Sequence, residues 1–282
     1  MFTQFAKTCA WCVLAILMLG AMPVAAQSVW LGADRQAAVA IELLRPDFES
    51  SNVTLFSSAV FLSGHYPLAE AIDLVVEIPI SRYGENYTSF DGRDESRSET
   101  ALGNPYIGIA LGERDASAYG ELGVRLPIAN EYGDGLGTGF MSDHDRWEAF
   151  LEDFVTIRGA CNYIHRAPSG FRTRLHGGAS LWVYTGGFES DYFEALIDYG
   201  AHGWYPVSEQ VRISAGLTGR LIITENDLSL SERMLNQFGV AVVGRFGGVE
   251  PGLHLRRPFS FTEERDEPSY VLGLSLAVPL AP

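Results

Sequence analysis

Apolar and polar residues alternate with a period of two along most of this chain, and helical spacing is rare. Between Ile72 and Ser81, the residues Ile72, Leu74, Val76, Ile78 and Ile80 share one face, while Asp73, Glu77 and Ser81 share the other. Leu122, Val124, Leu126 and Ile128 oppose Glu121, Gly123 and Arg125 in the same way. Val211, Ile213, Ala215, Leu217, Leu221 and Ile223 oppose Arg212, Ser214, Gly216, Thr218 and Arg220. Successive side chains of a strand point to opposite faces, so this pattern predicts strands with one apolar face each. Followed along the whole chain, it predicts about twelve: 36–45, 53–65, 70–82, 104–112, 118–128, 149–165, 171–185, 190–204, 208–223, 234–246, 249–258 and 269–280. The stretch from Ser142 to Phe150 is the least regular and has room for a helical turn.

The connections alternate too. Even-numbered strands end in tight turns, such as Arg166 to Gly170, Tyr205 to Ser208 and Phe246 to Gly248. Odd-numbered strands end in longer polar loops, notably Tyr83 to Gly103, Ala129 to Glu148 and Phe259 to Pro268. Short turns on one side and long loops on the other are the mark of a membrane-spanning antiparallel barrel, with the turns periplasmic and the loops extracellular. An even strand count returns both termini to one side.

A soluble sandwich of sheets would alternate as well, so other features must separate the two. The non-apolar face is rich in Gly, Ala and Ser with scattered charges of both signs, which suits a confined lumen. Aromatic residues gather at the expected strand ends: Tyr66, Tyr83, Tyr87, Tyr106, Tyr119, Trp182, Tyr184, Trp204, Tyr205, Phe246, Phe259 and Tyr270. Such rings favour the membrane–water interface, where the ring is buried and its polar tip stays wet. The expected fold is therefore all-β, a transmembrane barrel of about twelve strands. One feature points the other way: the chain closes on Leu280-Ala281-Pro282, whereas such barrels commonly end on an aromatic residue read by the assembly machinery.

Compartment follows from the first residues. Lys7 precedes an apolar run from Val13 to Ala21; Pro23 breaks it, and Val24-Ala25-Ala26 carries the small residues of a cleavage site. A signal peptide over 1–26 is expected, with a single barrel domain over 27–282. The run is too short for a membrane anchor, which needs about 20 apolar residues. Cys9 and Cys12 fall in the segment to be removed, so their C-x-x-C spacing carries no chemistry and Cys161 remains alone. Every basic residue past Lys7 is Arg, leaving 19 basic against 35 acidic side chains. A chain so acidic is a poor partner for nucleic acid. The expected surroundings are instead outer-membrane lipid, lipopolysaccharide and the barrel assembly machinery, with a small solute as the one candidate ligand.

The stretches Tyr66-Pro67-Leu68 through Arg82-Tyr83, Gly103-Asn104-Pro105-Tyr106-Ile107-Gly108 and Gly248-Val249-Glu250-Pro251-Gly252-Leu253 resemble outer-membrane barrels related to the meta-pathway phenol-degradation family. That resemblance implies a barrel and transport of small or aromatic compounds. It brings no catalytic residues with it.

No reaction chemistry stands out. There is no G-x-S-x-G elbow, and His65, His144, His165, His176, His202 and His254 have no triad-like partners. His176, His202 and His254 fall on the lumen face, where a hydrogen bond to a neighbouring carboxylate is the simpler role. Glu131 to Gly139 lacks the glycine offsets of a dinucleotide loop and reads as a flexible segment. Asp143, Asp145 and Glu148 lack calcium-loop spacing and read as a solvated acidic loop. No enzyme activity, metal or cofactor is expected.

The informative residues are the inward-facing charges. They are Glu42, Asp73, Glu77, Glu121, Arg125, Arg158, Arg172, Arg174, Glu194, Asp198, Arg212, Arg220, Arg245, Glu250 and Arg256. Two readings of this set stand level. Either the charges line a narrow aqueous pore and select a small solute for passive transport, or they pair across a small lumen and close it. In the second case the barrel is structural or meets partners through its loops.

Overall fold

The computed structural model describes residues 38–48, 52–129, 133–186, 192–225, 227–259 and 270–280. The expected signal peptide, the loop beyond Phe259 and the last two residues lie outside them. Among the described residues, thirteen strands form one antiparallel sheet that closes on itself. They are β1 (Ala38–Pro46), β2 (Ser58–Ala69), β3 (Ile72–Thr88), β4 (Asp94–Leu102), β5 (Tyr106–Leu111), β6 (Ala118–Arg125), β7 (Phe154–Arg166), β8 (Arg172–Tyr184), β9 (Phe193–Pro206), β10 (Val211–Ile222), β11 (Met234–Gly244), β12 (Glu250–Phe259) and β13 (Val271–Pro279). Neighbours in sequence are neighbours in space, and closure comes from β1, which pairs with both β2 and β13. Twelve strands make the wall and β4 is additional.

All twelve expected strands are present. The two departures are both in the long loops. Tyr83 to Gly103 was expected as a polar loop, yet β3 continues to Thr88 and β4 returns beside it. Most residues of this hairpin are polar on both faces, so it gives no apolar–polar alternation to read. Its cross-strand bonds are polar, as from Tyr87 Oη to Glu95 (2.9 Å) and Thr88 Oγ1 to Asp94 (3.0 Å). β4 and β5 both pair with β3, and the register slips by one between Ile80↔Leu102 and Glu77↔Tyr106. Gly103-Asn104-Pro105 is thus a bulge where the additional strand β4 runs into wall strand β5, and such bulges bend a strand and re-aim side chains.

The second departure is larger. Ala129 to Glu148 was expected as a long polar loop, flexible over Glu131 to Gly139; it folds into helix α1 (Asp134–Ser142) and a 3₁₀ segment (His144–Phe150), the latter where Ser142 to Phe150 had room for a helical turn. Asn130, Glu131 and Tyr132 lie outside the described residues. Leu136, Ala149 and Phe150 are buried with Leu44, Ala59, Phe61 and Val271, residues of the wall's inner face. The connection between β6 and β7 therefore turns inward and packs inside the barrel. Phe61 and Phe150 meet edge to face, with centroids 5.7 Å apart. Close packing needs glycine here, since a Cβ on Gly139 would lie 2.4 Å from the Phe150 ring. Another on Gly103 would lie 2.2 Å from the Ala149 carbonyl oxygen. Of the glycines that read as flexibility, Gly133 and Gly139 are contact surfaces, while Gly137 faces open space.

Outward positions form an apolar band. Val39, Ile41, Leu62, Ile78, Ile107, Ile213, Leu217, Val240, Leu253, Leu255, Leu272 and Leu274 are all exposed. A water-soluble protein rarely leaves so large an apolar surface uncovered, whereas hydrocarbon accepts it and demands a closed hydrogen-bonded wall. Tyr66, Phe171, Tyr205 and Phe246 are exposed near the short-turn end. Tyr106, Tyr119, Trp182 and Trp204, expected in the same belts, are buried. Their parity places them with Glu121, Asp198 and Arg220 on the lumen face, so they fill interior space.

A closed barrel of this kind should resist detergent at room temperature. Unboiled protein should migrate faster on a gel than boiled protein; identical mobility would contradict closure.

Candidate functional site

The lumen's inner face is built by one parity of each strand, and the sequence fixes that parity through its apolar outer face. Into this space the 3₁₀ segment carries Arg146 and Glu148, with Asp143 just before it. Arg146 is buried and meets three carboxylates. Its Nη1 is 2.7 Å from Glu77 on β3, its Nη2 bonds Glu42 on β1, and its Nε donates to Asp143 at 2.6 Å. The guanidinium also lies 3.6 Å from the Phe61 ring centroid, a cation–π contact.

Glu148 holds the opposite wall. Its carboxylate is 2.6 Å from Arg220 on β10 and 3.5 Å from Arg125 on β6. Arg125 closes the circuit to Glu77 at 2.6 Å, and Arg220 continues it to Asp198 on β9 at 2.8 Å. Arg158 on β7 adds a contact to Asp198 at 3.5 Å. Arg256 on β12 bonds Glu42, and its Nη1 lies 3.2 Å from Asp143. Asp145 accepts from Gln237 on β11 at 3.1 Å. The ion pairs join five carboxylates (Glu42, Glu77, Asp143, Glu148, Asp198) to five guanidiniums (Arg125, Arg146, Arg158, Arg220, Arg256), so the network is neutral as a whole. Neutrality matters because an uncompensated ion in a desolvated site costs several kcal/mol.

The backbone of the insertion is held separately. Asn104, in the bulge between β4 and β5, is fully buried. Its side-chain NH₂ donates to the carbonyls of Glu148 (3.1 Å) and Leu151 (2.6 Å). Its side-chain oxygen accepts from the amides of Ile128 and Ala129, each at 2.9 Å. One amide side chain thus pins the entry and the exit of the inserted segment.

The expected lumen residues fall into three groups. Glu77, Arg125, Asp198, Arg220 and Arg256 join the network, as do Glu42 and Arg158. Asp73 and Glu121 lie on the β3–β6 side: Asp73 is 3.1 Å from His65 and 3.3 Å from Arg114, and Glu121 accepts from Tyr106 Oη. Arg172, Arg212, Arg245 and Glu250 meet near the short-turn end, with Glu250 2.9 Å from both Arg212 and Arg245. Arg174 is buried with its guanidinium 5.3 Å from the Trp204 ring centroid. Glu194, near the long-loop end, accepts from Tyr192 Oη and stands apart from the rest.

Arg245 sits in the turn after β11 and is mostly exposed, the only one of the set outside a strand. His254 lies 3.4 Å from Glu42 without the hydrogen bond expected of it; its Nδ1 accepts instead from Arg256 Nε at 3.1 Å. Asp143, Asp145 and Glu148 are not a solvated acidic loop; guanidinium and amide groups of the wall meet all three. Sequence reasoning missed Arg146, which lies in no alternating segment, and the role of Asn104, which begins the expected strand 104–112 but bonds residues outside it.

The signs are unevenly placed. On β1 to β6, Glu42, Asp73, Glu77 and Glu121 outnumber Arg125, whereas on β7 to β12, Arg158, Arg172, Arg174, Arg212, Arg220 and Arg256 outnumber Glu194, Asp198 and Glu250. On the basic side, Asn162, Ser180, Thr218 and the Trp204 indole nitrogen are buried with no protein hydrogen-bond partner. Polar groups in such positions are ordinarily met by water or ligand.

By sequence, the chain matches no family model and no curated protein. By structure, it is similar to an outer-membrane channel from Pseudomonas putida F1, with a TM-score of 0.57 and 12% identity, covering 91% of this chain and 100% of that one. It is also similar to LpxR from Salmonella typhimurium, with a TM-score of 0.50 and 13% identity, covering 86% of this chain and 100% of that one. At these identities the likeness is one of fold: the chain has the architecture of bacterial outer-membrane β-barrels.

Replacing Arg146 by Ala takes away one of the two guanidiniums that meet each of Glu42, Glu77 and Asp143 and should destabilise the folded barrel by roughly 3–5 kcal/mol, read from urea unfolding in detergent. Asn104→Ala should cost about 1–3 kcal/mol for the buried backbone groups it leaves unmet. Burial alone would raise the Glu148 carboxyl, but Arg220 and Arg125 outweigh it and lower it to about 2. A lowered carboxylate contributes stability above its unfolded pKa and loses it as pH falls through the folded one. This contribution should therefore hold from neutral pH to about 4, fade below that and be gone near pH 2. Unfolding midpoints measured down the pH scale would check the window.

Proposed function

We propose that this protein is an outer-membrane barrel for passive passage of a small solute, with the inserted segment as its constriction. The observation that carries the reading is the separation of charge across the lumen, together with the partnerless polar groups on its β7–β10 wall. A passage with an excess of carboxylates on one side and of arginines on the other holds a transverse field, which orders a polar solute without binding it tightly. The aromatic rings inside the wall, Trp182, Trp204 and Tyr106, offer surface to a solute with an apolar part. Export through a signal peptide cleaved before Gln27 and residence in the outer membrane belong to the same proposal. It makes the protein a conduit with no catalytic residues, whose partners are membrane lipid, lipopolysaccharide and the assembly machinery.

A second reading has its own support. The central ion network is balanced and ties the insertion to β1, β3, β6, β10 and β12. A plug so fastened suits a non-conducting barrel that acts through its outer hairpin and loops.

Planar-bilayer recording separates the two. Wild-type protein should show small, discrete conductance steps, and Arg146→Ala should raise the conductance severalfold by loosening the constriction. Silence from both proteins, each shown to be folded by its heat-dependent mobility, would sink the transport reading and leave the structural one.

A further inference from the structure

Beyond the wall, the hairpin of β3 and β4 leaves one sheet edge open. β4 pairs with β3 from Thr88↔Asp94 to Ile80↔Leu102, and among the described residues no other strand pairs with it. The other edge of the hairpin is met: Thr54 N–H donates to the Gly84 carbonyl (2.7 Å), and Asn86 N–H donates to that of Asn52 (2.9 Å). On β4, Asp94 to Ser98 are exposed throughout. An open edge carries a row of unused backbone N–H and C=O groups, a template on which another strand can pair.

Charge at such an edge ordinarily repels a second strand. On β4 it is arranged otherwise. Glu95, Arg97 and Glu99, with Arg93 just before the strand, fall on one parity and alternate in sign. Two copies of β4 related by a two-fold axis in an antiparallel sheet have that axis perpendicular to the sheet, so residues of like parity stand opposite each other. Centred on Ser96, the axis sets Glu95 against Arg97 and Arg93 against Glu99, and each pairing occurs twice. Asp94 then meets Ser98. Centred one residue to either side, it sets Arg93 against Arg97 or Glu95 against Glu99. Opposite charges directly across a ladder stabilise it and like charges weaken it, so one register is favoured over both neighbours. Asp134 lies 2.9 Å from Arg97 within the single chain, yet Arg97 stays more than half exposed.

We propose that the open edge of β4 is a pairing surface for a second copy of this chain, joined β4 to β4 in antiparallel register about Ser96. β3 runs unbroken from the wall into the hairpin, from Ile72 to Thr88, and wall strands tilt by roughly 35–45° from the membrane normal. A two-fold axis lying across such strands is closer to the membrane plane than to its normal. The paired barrels therefore point in opposite directions and occupy facing membranes. This pairing goes beyond the channel reading and does not need conduction.

Sedimentation of the full-length mature protein in neutral detergent provides the test, at low salt, where exposed charges are least screened. Heat-dependent mobility checks that each protein is folded. The wild type should dimerise. Glu95→Arg and Arg97→Glu each place like charges opposite one another, so either variant alone should dimerise roughly tenfold more weakly. An equimolar mixture of the two should regain the wild-type level, because each then carries the charges its partner lacks. Misfolding cannot produce such a recovery. Proteoliposomes form the second arm. Vesicles bearing the wild type should cluster, read by light scattering, and those bearing the single variants should cluster only when the two populations are mixed.

A monomeric wild type, or dimers that neither variant weakens, would overturn the pairing. Weakening in both variants with no recovery on mixing would overturn the register. Dimers in detergent from vesicles that stay dispersed would keep the edge pairing and remove the facing-membrane arrangement. Dimers without bilayer conductance would leave the pairing standing and remove the channel. Conductance from a monomer would do the reverse.

Discussion

Arg146 carries a guanidinium into the middle of a membrane barrel, and the arrangement of the lumen turns on it. A buried cation is tolerable only when its charge is met and its donors are used. Glu42, Glu77 and Asp143 do both, and they come from β1, β3 and the insertion itself. Two distant wall strands are thereby tied through one side chain. Glu148 makes the matching tie to β6 and β10 on the other side. The insertion is fastened by opposite charges to opposite walls, so its position is specified and not merely accommodated.

That fastening sets how the inward charges are shared out. Those at mid-lumen pair with one another and with the insertion. Toward the short turns, Glu250 meets Arg212 and Arg245.

Much of the fold could be read from residues alone. Ile72 to Ile80 show why: hydrocarbon on one side and a confined lumen on the other impose a strict period of two, and a one-residue slip would bury charge in lipid. Glu77, Arg125, Asp198, Arg220 and Arg256 were assigned to the lumen by that parity alone. The β3–β4 hairpin escaped notice because it stands clear of both environments, so its polar residues show no contrast. The interior placement of Tyr106 and Trp204 was missed for a related reason. Aromatic residues near strand ends suit an interface belt, but parity put these two on the inside.

What the sequence by itself determined is the wall: strand number, which side chains face inward, and which end has short turns. These follow from local periodicity, which each strand displays without reference to any other. What only the tertiary structure decided is the content of the lumen. Arg146 and Glu42 are 104 positions apart, and Asn104 reaches residues on both flanks of the insertion. No period connects such positions. They meet because an irregular, glycine-bearing segment finds apolar and ionic partners inside a barrel that must close before those partners face one another.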